Sequence, residues 1–163
     1  MKITDMNGKV CLITGATSGI GRVAAAELAR AGAEVVMVGR SAEKTRAAAG
    51  QIEQETGAKV DTLLADLSVQ DDVRRLADSF LRRYDRLHVL VNNAGALFMR
   101  RQTSRDGFEM TFALNHLAYF LLTYLLLDVL KASAPARVVN VSSQAHFGFR
   151  LSLPDAANPR RYV

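Results

Sequence analysis

Short unbroken apolar runs alternate along the chain with longer stretches that mix apolar and charged residues. The runs Val10-Cys11-Leu12-Ile13, Val35-Val36-Met37-Val38 and Val89-Leu90-Val91 read as buried strands within residues 9–14, 34–38 and 88–91. Residues 59–64 and 137–141 add two more. The stretches 19–31, 44–55, 69–84 and 107–131 predict helices between them. Gly32 and Gly57 stand at helix ends, where glycine tolerates the left-handed conformation. Ser41 and Ser68 are expected to cap the second and third helices, and Pro135 to break the fourth. Strands that alternate with helices give a parallel sheet covered on both faces, and right-handed crossovers favour a doubly wound one. From 144 to 163 the periodicity stops; Gly148, Pro154, Asn158 and Pro159 predict loop.

Composition narrows the class. The 163 residues, 49% apolar and 23% charged, suit one domain with a sizeable core. The only cysteine, Cys11, lies in the first strand, which excludes an internal disulfide, fits a reducing cytoplasmic setting and predicts a buried structural thiol. The net charge is +5, but the arginines are scattered and no basic stripe with interleaved aromatics points to nucleic acid. Attraction for the phosphates of a cofactor accounts for part of that charge. Residues 1–7 are polar and do not read as a signal peptide. The most apolar stretch, 112–130, contains Asn115, His116, Thr123 and Asp128, so it predicts a buried helix and no membrane span.

The candidate chemistry begins at Thr14-Gly15-Ala16-Thr17-Ser18-Gly19-Ile20-Gly21, between the first strand and the first helix. A glycine turn there lets backbone approach a pyrophosphate, and the helix start offers N–H groups and a positive dipole end. The fold expected is therefore α/β, a Rossmann-type doubly wound parallel sheet in three α/β/α layers, spanning 1–163. In NAD-specific dinucleotide folds a carboxylate about 20 residues past the turn holds the ribose 2′-OH. Here that position is Gly39, and Arg40 follows, suited to grip a 2′-phosphate. NADP(H) is thus expected over NAD(H). Arg22, directly after the turn, is a lesser candidate for the same phosphate, with a solvated surface role as its alternative.

The turn has T-G-x-x-x-G-x-G spacing, and Asn92-Asn93-Ala94-Gly95 follows the fourth strand. With Ala65-Asp66-Leu67, Leu114-Asn115-His116-Leu117 and Val139-Asn140-Val141-Ser142-Ser143 in order, the chain resembles the short-chain dehydrogenase/reductase family over its whole length. Gly107-Phe108-Glu109-Met110 and Ser142-Ser143-Gln144-Ala145-His146 look most like its retinol-dehydrogenase-like branch, which also holds light-dependent protochlorophyllide reductases. The resemblance implies a nicotinamide cofactor held by Gly15, Thr17, Ser18, Gly19, Ile20 and Gly21. It further implies Asp66 and Leu67 at the adenine, and Asn93, Ala94 and Gly95 close to the cofactor. Asn115 would support a relay water, Ser143 would polarise the substrate oxygen and Ser142 would serve the backbone around the cofactor. His116 reads as structural. The implied reaction passes hydride between nicotinamide and an alcohol or carbonyl substrate.

One departure matters. The family carries Y-x-x-x-K after the serine, and these 163 residues do not contain it; Tyr162 has no lysine four places on. The expectation is a C-terminally incomplete domain that is inactive alone and a homo-oligomer when full length. Phe112, Leu117, Phe120, Leu121, Leu125 and Leu126 would then form an uncovered apolar patch. The alternative reading is a non-catalytic NADP(H)-binding module or sensor.

Overall fold

The first apolar run becomes the central strand of the sheet. In the computed structural model, which describes residues 5–144, β1 (Val10–Thr14), β2 (Glu34–Gly39), β3 (Val60–Leu64), β4 (Val89–Asn92) and β5 (Arg137–Asn140) are all parallel. Their order is β3-β2-β1-β4-β5. The chain winds outward from β1 to β3, then returns to the other side of β1 for β4 and β5. That reversal leaves a crevice between the carboxyl ends of β1 and β4, where open α/β sheets bind ligands. The expected loop after Gln144, with Tyr162 and the Ala145-His146 part of the branch motif, lies outside the described residues.

Strand alternation feeds two cores. Cys11, Ile13, Val35 and Met37 face α1 (Gly19–Arg30) and α2 (Ala42–Thr56), packing on Ala25, Ala29, Ala48 and Ile52. Leu12, Val36, Val38 and Leu90 face the other way, onto Leu76 and Phe80 of α3 (Gln70–Leu81) and onto Leu122, Leu126 and Leu130. The three-layer arrangement therefore stands. Each fully buried Leu or Phe contributes about 1.5–3 kcal/mol by leaving water. Burial pushes the Cys11 thiol up to about 12, the setting of an inert packing residue.

The ends of α2 follow the sequence: the Ser41 hydroxyl accepts from Lys44 N at 3.4 Å, and Gly57 takes φ +73°. The start of α3 does not. Ser68 bonds to the Asp66 carboxylate instead of capping, through N–H at 3.1 Å and Oγ at 2.7 Å. The helix begins at Gln70, whose N–H donates to Asp106 Oδ2 at 2.7 Å from 36 residues away.

The fourth helix also differs from the expectation of one rod over 107–131. Residues 102–110 form a small hairpin with Gly107 at φ +84°, so the helix cannot start there. Glu109 ends the hairpin; its carboxylate accepts from Thr111 N at 2.9 Å and Phe112 N at 2.7 Å, opening α4 (Met110–Phe112). A π-helical turn, Ala113–Leu117, joins α4 to α5 (Ala118–Leu125), and α6 (Leu127–Ala132) follows after Leu126. The apolar patch is redrawn accordingly. Leu126 is fully buried and Leu121 and Leu125 pack against the core, whereas Phe120, Tyr124 and Leu127 are exposed beside the edge strand β5. Among the described residues no helix is long and apolar enough to cross a membrane.

Candidate functional site

The crevice is built first from the turn after β1. Gly15 has φ +64°, and a Cβ there would stand 2.7 Å from Ala94 Cα, so only glycine lets the turn seat against the Asn93-Ala94-Gly95 backbone. A Cβ on Gly21 would meet Asn93 Nδ2 at 2.4 Å and Gly15 O at 2.5 Å. Gly21 is therefore buried behind the turn and acts by its small size, whereas Gly15, Thr17, Ser18, Gly19 and Ile20 line the crevice. At Gly19 a Cβ would meet nothing within 4 Å, so the turn is open to a ligand on this side. Neither the Ser18 side chain nor a first-turn acid caps α1. Its leading N–H groups and dipole thus remain available to an anion, as a bound pyrophosphate requires.

The other walls come from the ends of β2, β3 and β4. Arg40, exposed just past β2, lines the crevice beside Gly39. A Cβ at Gly39 would fall 2.1 Å from Thr45 Oγ1 and 2.8 Å from Thr17 Cγ2. Thr45 is itself fixed, donating to Ser41 O at 2.6 Å, so the position has no room for a carboxylate side chain. Arg22 is turned away: it pairs with Glu55 on α2 and is absent from the crevice lining, which corrects its suggested phosphate role. Asp66 and Leu67 line the opposite wall, with the Asp66 carboxylate held by Ser68. Asn93, Ala94 and Gly95 close the floor, and the whole crevice encloses about 710 Å³.

A hydroxyl not singled out from the sequence fastens that floor. Thr14 Oγ1 accepts from Asn93 N at 2.9 Å and Ala94 N at 3.0 Å, and donates to Val91 O at 3.3 Å. Asn93 Nδ2 returns to Thr14 O at 2.9 Å and Gly15 O at 3.1 Å. The fully buried Asn92 amide donates to Thr123 Oγ1 at 3.0 Å and Asn140 Oδ1 at 2.8 Å, tying β4 to α5 and β5. The pairings cross 31 to 80 positions of chain, so no local spacing signals them.

Asn115 sits in the π-helical turn. Its Oδ1 accepts from Ala96 N at 3.0 Å and its Nδ2 donates to Ala96 O at 2.9 Å, which clamps the loop leaving Gly95. Asn115 and Ser142 line a second depression of about 510 Å³, with Tyr119, Phe120, Thr123 and Asn140. Ser143 follows Ser142 on the surface and does not line it. His116 stacks on Phe112 with ring centroids 5.1 Å apart, a packing role. Burial raises the Tyr119 hydroxyl pKa above its ordinary value.

A parallel sheet in this order, with a glycine turn and an uncapped helix start at its switch point, defines a Rossmann-type nucleotide-binding protein. The family model for short chain dehydrogenase matches residues 9–151, and the chain belongs to that family. Mouse retinol dehydrogenase 12 is 46% identical over 156 residues, covering 95% of this chain and 49% of that protein. The chain thus spans about half the length of the curated relatives it matches. Among solved structures, an uncharacterised protein from Mycobacterium paratuberculosis superposes with a TM-score of 0.84 at 39% identity, over 98% of this chain and 56% of that one. A metagenomic short-chain oxidoreductase in complex with NADP gives 0.77 at 31% identity, over 87% of this chain and 65% of that one.

Proposed function

We propose that this chain forms the cofactor-binding half of an NADP(H)-dependent oxidoreductase that acts on an alcohol or carbonyl substrate. The carrying observation is the end of β2, where Gly39 has no space for a ribose-binding carboxylate and Arg40 stands exposed on the crevice wall. The NADP complex of a structural neighbour and the retinol dehydrogenase relatives support the same reading. In it the uncapped start of α1 holds the pyrophosphate, Arg40 the 2′-phosphate, and Asp66 and Leu67 border the adenine. The cofactor supplies or accepts hydride. Ser143 orients the substrate oxygen, and Asn115 holds backbone and relay water at the reacting end. The relatives' names favour a substrate of the retinol class, an apolar alcohol.

Charge-assisted hydrogen bonds such as Arg40 to phosphate are worth about 1.5–3 kcal/mol, or roughly ten- to hundredfold in affinity. Arg40→Ala is expected to weaken NADPH binding by that factor in a fluorescence titration and to leave NADH binding nearly unchanged. Equal loss for both cofactors, or no loss, contradicts the assignment. Because the 163 residues contain no Y-x-x-x-K, these residues alone are expected to bind cofactor without turning over alcohol. The glycine turn and Arg40 equally suit a second reading, a non-catalytic NADP(H)-binding module. The presence of both Asn115 and Ser143, which a simple sensor does not need, favours the enzyme.

A further inference from the structure

We propose that Asp106 is a positioning residue for the cofactor crevice, clamping its two walls to each other. The inference rests on the cofactor reading of that crevice. One wall is the segment Asp66-Leu67-Ser68, which runs into α3. The facing wall includes Met110 and Leu114, on the helix that also carries Asn115. In sequence these walls are separate and no strand pairing joins them; the elements behind them, α3 and α5, meet through apolar side chains.

Asp106 adds a hydrogen-bonded link to that packing. Its carboxylate accepts from Gln70 N at 2.7 Å, at the first residue of α3. The residue before, Val69, has no side chain able to cap, and Ser68 is committed to Asp66. The N–H and dipole of α3 are therefore served from a distance by a charge of the favourable sign. Asp106 is mounted on a stiff support. The hairpin around it is held by Ser104 N to Phe108 O at 2.8 Å, Gly107 N to Ser104 O at 3.0 Å and Met110 N to Gln102 O at 3.0 Å. Buried Glu109 at its base caps the next helix through Thr111 N and Phe112 N. Two carboxylates three residues apart thus cap two helices, one on each side of the crevice. This bridge adds a polar tie between the walls to the apolar packing of α3 against α5.

The test uses three variants, NADPH titration and amide hydrogen exchange. Asp106→Ala is expected to weaken NADPH binding about three- to tenfold, the effect of one lost cap. It is also expected to speed exchange at 110–117 as well as at the start of α3. Asp106→Asn keeps an acceptor and is expected to restore most of the affinity. Asp71→Ala removes an exposed first-turn acid from the same helix without touching the bridge, and is expected to leave NADPH affinity unchanged. Binding by the unsubstituted chain that Asp106→Ala leaves intact would overturn this proposal alone. Equal losses in Asp106→Ala and Asp71→Ala would also overturn it, since the effect would then be plain helix stability. Failure of the unsubstituted chain to bind NADPH would overturn the cofactor reading and this proposal with it.

Discussion

The Thr14 hydroxyl makes three hydrogen bonds at the end of β1, to the Asn93 and Ala94 N–H groups and the Val91 carbonyl. Thr14→Val keeps the shape and removes the acceptor, leaving two N–H groups with a desolvation cost of about 1–3 kcal/mol. Urea denaturation is expected to show that loss, and Thr14→Ser to recover most of it. His88 is buried, and its Nδ1 accepts from Val10 N at 3.0 Å, which requires the neutral ring. Burial, then the charges of Lys9 and Arg86, lower its pKa below the ordinary 6.5. The unfolded chain takes up a proton near pH 6.5 that the folded chain resists, so stability falls as pH drops below that value and is unaffected above it. His88→Asn, whose Oδ1 can replace the ring acceptor, is expected to flatten this part of the dependence of melting temperature on pH. At this scale the sequence showed which residues are glycine, Asn or Arg at the turn. It could not show that Thr45 fills the space beside Gly39, because that contact depends on how α2 packs.

β1, β2 and β4 were legible because a parallel strand buried on both faces needs a nearly continuous apolar run. Ser41 was legible as a cap because its partner is three residues away. The Asp106 cap on α3 was not, because its partner is 36 residues away and Ser68 offers a misleading local signal. The π-helical turn was likewise hidden inside a stretch whose composition favours helix, whereas the hairpin lies mostly before that stretch. The exposed ridge of α5 has a measurable consequence. Phe120 and Tyr124, each 66% exposed, stack on one another beside the exposed strand β5. Contiguous apolar surface of this kind drives association. Phe120→Ser with Tyr124→Ser is expected to lower self-association in sedimentation velocity and to change melting temperature little, since neither side chain is in the core. A large drop in melting temperature with unchanged association would contradict this.

For the whole molecule, the sheet order and the glycine turn together place four sequence motifs around one crevice, though they lie on different strands and helices. This convergence is what the alternating strand and helix pattern predicts, because every β-to-α turn of a parallel sheet emerges at the same edge. The reacting end is less complete: Asn115 and Ser142 border a shallow depression, and the chain spans about half of its relatives' length. The cofactor crevice is the more complete part of the site, and calorimetric titration of the chain with NADPH and with NADH tests it most directly. One-to-one binding of NADPH at least about tenfold tighter than NADH is expected, through the Arg40 contact. NADH binding as tightly as NADPH, or no binding of either, would contradict it.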